Sequence, residues 1–141
     1  MKKVTFENIG AIEEISKMLF LMYNEVQPEK ASQDLDKYTT LANKHIMKDF
    51  VFIDEENRGF FIMRDISSPV LDEKLYDGVS VYIKPEFRKT RLLKDMYEFM
   101  FKNFDGDIIG YTDINSEHNK VLTKRHQALG ILYKLNRKDY T

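Results

Sequence analysis

The sequence predicts an α/β (α+β) fold: one domain over residues 1–141, with a mixed central sheet of about six strands flanked by about four helices. Three observations predict it. The chain has 141 residues, the length of a single domain of roughly 100–150 residues. Its apolar residues switch between a period of two and a period of 3.6 in the order β-α-α-β-β-β-α-β-α-β, and one sheet covered by helices packs that order naturally. The apolar set AVILMFWYC makes up 43% of the chain, with 10 Phe, 8 Tyr and 7 Met, enough for a core of that size.

Each element has its own warrant. Residues 3–6 form a short first strand. Ile12, Ile15, Leu19, Met22, Tyr23 and Val26 then recur on one face of an amphipathic helix, with Glu13 and Glu14 placed near its positive end and Pro28 closing it. Ala31, Leu35, Tyr38, Ala42 and His45 mark a second helix with a narrower stripe. Residues 50–54 and 59–64 are Phe-, Val- and Ile-rich strands, joined by the hairpin loop Glu-Glu-Asn-Arg-Gly. Residues 66–77 read as irregular. Val79, Val81 and Ile83 alternate with Ser80 and Tyr82, giving a strand with one apolar face that Pro85 ends. Leu93, Met96, Tyr97, Met100 and Phe104 define a strong helix stopped by Asp105-Gly106. Ile108, Ile109 and Tyr111 form a strand. Residues 119–129 are helical, with Gly130 as the C-cap, and Ile131, Tyr133 and Leu135 make the last strand.

Composition removes several classes of function. There is no cysteine, so disulfide frameworks, cysteine zinc sites and thiol nucleophiles are excluded. His45, His118 and His126 are not spaced as a helical zinc pair, and no metal is expected. Twenty-two basic residues against 23 acidic give a net charge of −1, without the basic excess of a nucleic-acid-binding protein. No apolar run approaches the ~18 residues of a membrane span, and no apolar stretch follows Lys2 and Lys3 as in a signal peptide. A cytoplasmic domain is expected. Met18, Phe20 and Met22 read as core or as a homodimer contact. Tyr97 and Phe104 read as core rather than as base-stacking groups.

Charge is nevertheless segregated. Residues 1–83 hold 10 Lys/Arg and 15 Asp/Glu, net −5, whereas residues 84–141 hold 12 and 8, net +4. The change comes abruptly at Lys84, with Arg88, Lys89, Arg91 and Lys94 close behind. There a strand ends, the chain turns and a helix begins. The first amides of a helix lack intrahelical acceptors and lie at the positive end of its dipole, so an anion gains hydrogen bonds there. Arg88 and Arg91 can add bidentate contacts. A diphosphate site needs this arrangement, although a solvated basic helix face would look similar.

The run Ile83-Lys84-Pro85-Glu86-Phe87-Arg88 resembles the central motif of the GCN5-related N-acetyltransferases, the GNAT superfamily, in which a strand ends in V-x-P-E-[YF]-R before a glycine-containing turn and a long helix. The element order is similar across almost the whole chain. Near the end, Asn119 stands 11 positions before Gly130-Ile131, similar to the family's late N-x-x-A-x-x-L-Y-x-x-x-G-F pattern. The resemblance implies acetyl-CoA as cosubstrate and an amine acceptor, either a small molecule or a protein. It implies that Val81, Tyr82 and Ile83 align the pantetheine arm through their backbone. The turn formed by Arg88, Lys89, Thr90, Arg91, Leu92 and Leu93 would cradle the diphosphate, and Asn119 would hold the pantetheine or phosphate side.

Two departures bear on function. Arg91 and Leu93 stand where the family's turn usually has glycines, and Lys89 stands where a glycine often follows the arginine. Glycine permits close approach of phosphate to backbone, so here side-chain charge would have to replace it. The family's general-acid tyrosine falls at His126, which can donate a proton near neutral pH but also reads as a surface residue beside Lys124 and Arg125. Asp77 is the best chemical candidate for a general base, against a turn role in Tyr76-Asp77-Gly78. Asn115 and Ser116 fall at the end of the following strand. Two functions follow: an N-acyltransferase moving an acetyl or short acyl group to an amine by direct attack, or a catalytically degenerate domain of the same fold, of the small divergent kind that phages also carry, binding or regulating a protein partner.

Overall fold

The computed structural model describes residues 1–110, which form a five-stranded sheet in the order β1-β2-β3-β4-β5 with helices on both faces. The elements are β1 (Lys2–Lys3), α1 (Ile9–Val26), α2 (Leu35–Lys48), β2 (Phe50–Ile53), β3 (Gly59–Asp65), β4 (Leu75–Ile83), a 3-10 turn (Pro85–Phe87), α3 (Leu92–Asn103) and β5 (Asp107–Gly110). Strands β1 to β4 pair antiparallel, and β5 adds parallel to β4 after the crossover through α3. The sheet is therefore mixed, as expected. The sixth strand and fourth helix expected at residues 131–135 and 119–129 lie outside the described residues.

Strand alternation builds two cores. Val51 and Ile53 of β2 and Phe60 and Ile62 of β3 face α1 and α2, where they meet Ile15, Met18, Leu19, Tyr38 and Ala42. Phe61 and Met63 point the other way, onto Leu92, Met96, Met100 and Phe104. β3 is thus buried on both faces and reads as an unbroken apolar run, as a central strand does. Met18 belongs to the first core, with Phe20 and Met22 packed against it. Tyr97 and Phe99 pack against the second.

Several boundaries moved from expectation. β1 is confined to Lys2–Lys3, although Val4 is still buried. α1 begins at Ile9, so Glu13 and Glu14 stand in its second turn. Instead of facing the dipole they pair with Lys17 at 3.1 and 3.7 Å. Val26 is 70% exposed, not core. α2 starts after Asp34, whose carboxylate caps the amide of Asp36 at 3.1 Å, and Ala31 precedes it. The largest correction concerns β4, which begins at Leu75 inside the segment expected to be irregular. Residues 75–78 are polar and glycine-containing, but they pair with β3 on one side and β5 on the other. Tertiary pairing outweighs their weak intrinsic strand preference.

Two tight spots fix the sheet's ends. In the β2–β3 hairpin, Asn57 takes the left-handed region with φ 56°, tolerated by Asn. The buried Asp54 accepts from the amides of Glu56 and Arg58 and from the Arg58 guanidinium at 2.7 and 3.0 Å. The hairpin ends on Gly59, where a Cβ would lie 2.6 Å from the Tyr82 carbonyl oxygen, so only glycine lets β3 approach β4 this closely.

Candidate functional site

Of the site expected from sequence, residues 81–83 and 88–93 stand at and just after the end of β4. Opposite β3, the register slips between Ile62 and Met63: Ile62 faces Ser80, Met63 faces Gly78, and Val79 is the extra residue. This is a β-bulge, which bends a strand and inverts its facing. Tyr82 and Val79 consequently pack toward α1 and α2, whereas Val81 and Ile83 pack toward α3 with Tyr76. The alternating face expected for Val79, Val81 and Ile83 is therefore broken at Val79. On the opposite edge, the parallel pairing runs from Leu75↔Asp107 to Gly78↔Gly110. Beyond Gly78, residues 79–83 have no β5 partner among the described residues.

Arg88 closes the end of this strand. Its Nε donates to the Ile83 carbonyl at 2.9 Å, and its guanidinium lies over the Tyr82 ring at 5.5 Å. Its two terminal nitrogens grip Glu25 in the last turn of α1, Nη1 on Oε1 and Nη2 on Oε2 at 2.6 Å. The Arg88 fork holds the Glu25 carboxyl below its usual range, although partial burial opposes this. Burial pushes the Tyr82 phenol up.

Three other cations near the turn, Lys84, Arg91 and Lys94, are also paired. Lys84 meets Glu14 at 3.8 Å. Arg91 meets Asp95 at 2.8 Å and Glu98 at 3.2 Å, and Lys94 lies 3.9 Å from Glu98. Among the described residues Lys89 makes no ion pair. The basic cluster read from the sequence is thus locally neutralised by acids from α1 and from α3 itself.

The turn is built without glycine, and its side chains show how. Leu92 is buried and Leu93 packs against the same core as Met96 and Met100, anchoring the start of α3. Thr90 folds back: its hydroxyl donates to the Phe87 carbonyl at 2.6 Å and accepts from the Leu92 amide at 3.3 Å. Such local bonds satisfy helix-start amides. The amides of Leu93 and Lys94 have no acceptor among the described residues, as is usual for a helix start. Basic side chains and open amides are donor types that would suit the anionic end of coenzyme A, without a glycine to let phosphate approach the backbone. Tyr82 and Ile83, being buried, offer only their backbone.

Asp77 stands within β4, opposite Arg64 in register and beside Ile109 of β5, not in a turn. Its Oδ1 is buried and has no hydrogen-bond partner among the described residues, an expensive state for a carboxylate oxygen. Nearby, Arg64 donates to Asp49 at 2.8 and 3.1 Å, and His45 Nδ1 donates to the same carboxylate at 2.8 Å. Sequence reading missed this cluster, because His45 had looked like part of an apolar stripe. His126, Asn119, Asn115 and Ser116 lie outside the described residues. Among the described residues no helix is long and apolar enough to cross a membrane.

No protein-family model and no curated protein matches the chain. Solved structures do. A possible acetyltransferase from Clostridium difficile 630 superposes with a TM-score of 0.74 at 13% identity, covering 96% of this chain and 95% of that one. A ribosomal-protein-alanine N-acetyltransferase from Brucella melitensis biovar Abortus 2308 gives 0.65 at 13% identity, covering 96% and 97%. An aminoglycoside acetyltransferase from an uncultured soil metagenomic sample, solved with sisomicin, gives 0.62 at 10% identity, covering 96% and 95%. At these identities the likeness is one of fold: the chain shares the fold of these acetyltransferases, as expected from the Ile83–Arg88 motif.

Proposed function

We propose that the chain is an N-acyltransferase that moves an acetyl or other short acyl group from acyl-CoA to an amine. The observation that carries this reading is the conjunction at the end of β4. A bulge at Val79 and the Arg88 fork, tied back to the Ile83 carbonyl where β4 ends, stand together on the fold of known acetyltransferases. In this reading the backbone of Val81, Tyr82 and Ile83 aligns the pantetheine arm. Arg88 and the open amides of Leu93 and Lys94 take the diphosphate, with Lys89, Thr90 and Arg91 around it and Leu92 and Leu93 underneath. Asn119 completes the coenzyme contacts.

Bound acyl-CoA supplies the activated thioester. Asp77 then serves as base: its unpartnered oxygen accepts a proton from the acceptor ammonium, and the neutral amine attacks directly. Held in place, the two reactants gain most of their acceleration from proximity. His126 serves as the acid that protonates the departing thiolate. The test is calorimetric titration of acetyl-CoA into the purified protein, followed by an amine panel. Saturable binding near micromolar, about −8 kcal/mol, weakened in Arg88→Ala, and coenzyme-dependent acylation of an amine are expected. A folded, ligand-free protein that binds no acetyl-CoA would overturn the reading.

The pairing of the cations and the missing glycines favour a second reading, a degenerate domain of this fold that binds or regulates a protein partner. It expects no acyl transfer to any amine, and a partner whose binding survives Arg88→Ala.

A further inference from the structure

We propose that Glu25 is an intramolecular competitor of the coenzyme: its carboxylate occupies the Arg88 fork that the diphosphate would take, so coenzyme binding proceeds by exchanging the Glu25 carboxylate for a phosphate on Arg88. The inference rests on the coenzyme site proposed above.

The geometry of Arg88 separates what would stay from what would leave. Nε is committed to the Ile83 carbonyl and the guanidinium plane to the Tyr82 ring. Both contacts come from β4 and leave the two terminal nitrogens on Glu25. Those nitrogens face one carboxylate, both of whose oxygens they engage. A planar fork of this kind fits a phosphate's paired oxygens as well as a carboxylate's. The fork is thus pre-aimed from beneath, and its present anion comes from a residue 63 positions away in sequence. Glu25 is 44% exposed at the side chain and Arg88 40%, so an incoming anion can reach the pair and exchange for the carboxylate without opening the core. Glu25 also sits in the last turn of α1, where the dipole disfavours a negative charge, so Arg88 is what makes its position favourable.

Glu25→Gln tests this, with Glu25→Ala as a second variant in case the amide keeps one hydrogen bond to Arg88. Coenzyme A is titrated calorimetrically into wild type, both variants, Arg88→Ala, and Glu25→Gln combined with Arg88→Ala. Without ligand, removing the tie lowers the melting temperature slightly. Coenzyme affinity rises about two- to tenfold, the span expected for an exposed but bidentate pair, and the gain disappears when Arg88 is absent. A purely structural pair would lose stability and affinity together. If wild type binds and both variants bind equally or more weakly, the competitor role is overturned while the coenzyme site stands. If no protein binds, the site and the competitor fall together. Binding by the Glu25 variants alone would support the competitor while overturning the reading of the wild-type chain as an acyltransferase.

Discussion

Replacing Arg64 by Met should destabilise the fold strongly at neutral pH and progressively less in acid. Arg64 makes two hydrogen bonds to Asp49, at 2.8 and 3.1 Å, and the Asp49 side chain is only 1% exposed. Deleting one partner of a buried ion pair costs ~3–5 kcal/mol. Here the Arg64 side chain is 45% exposed, which screens its share, and His45 still donates to Oδ2. About 2 kcal/mol is the resulting expectation, or about 6–8 °C in melting temperature for a domain of this length. The pH dependence follows from the carboxyl's environment. Burial pushes Asp49 up, and hydrogen bonds from Arg64 and His45 more than offset it, leaving Asp49 below its ordinary value. A depressed carboxyl contributes stability that is present above its unfolded pKa and lost as pH falls through the folded one. Without Arg64 only His45 opposes burial, so the variant's carboxyl is less depressed and protonates at higher pH. The difference between the two proteins therefore narrows as pH falls through the variant's value and closes below the wild type's. Urea unfolding of both proteins at about pH 7 and about pH 4 reads it. An equal deficit at both values, or none at neutral pH, would refute the account of Asp49 as a charge held in place by Arg64.

Asp77→Asn should leave coenzyme affinity within about twofold and lower acyl transfer by ~10²-fold or more, the usual worth of a general base; steady-state kinetics beside calorimetry separates the two. Phe61→Ala empties a fully buried site stacked against Phe52 and should cost ~3–5 kcal/mol by urea unfolding. Gly59→Ala places a methyl 2.6 Å from the Tyr82 carbonyl oxygen and should lower the melting temperature measurably, in contrast to Gly10→Ala, where a Cβ meets nothing within 4 Å. Asp34→Ala removes the α2 cap and should cost ~1 kcal/mol.

The periodic elements were legible because periodicity is a burial signal. The stripe Ile15, Leu19 and Met96, Met100 predicts the faces of α1 and α3 that are buried, and the Phe- and Ile-rich composition of residues 59–64 predicts the strand β3. The start of β4 was illegible for the complementary reason. Leu75, Tyr76, Asp77 and Gly78 carry no alternation, and their strand conformation is supplied by neighbours on both edges. The bulge at Val79 is equally silent in sequence, since inserting one residue leaves an apolar pattern that still looks like Val79, Val81, Ile83 on one face. Yet it turns Val79 and Val81 toward opposite cores. A pattern of period two cannot report its own interruption when the interrupting residue is itself apolar.

The basic cluster teaches a similar lesson about charge. Counting residues along the chain finds a net positive segment beginning at Lys84, but potential depends on separation in space. Glu14 and Glu25 come from the acidic half and stand against Lys84 and Arg88, while Asp95 and Glu98 were in the basic half all along, one and two turns down the same helix from Arg91. Charge that is paired steers anions weakly at long range, where opposite charges cancel and salt screens what is left within ~8 Å. At contact range a fork still selects strongly for a bidentate anion. A glycine-free turn of this design therefore trades approach of phosphate to backbone for exchange of one anion against another. Its affinity should depend on how tightly Glu25 holds Arg88 more than on the net charge of the segment. Neutralising Asp95 or Glu98, which pair with Arg91 on an exposed helix face, should then change coenzyme affinity less than neutralising Glu25.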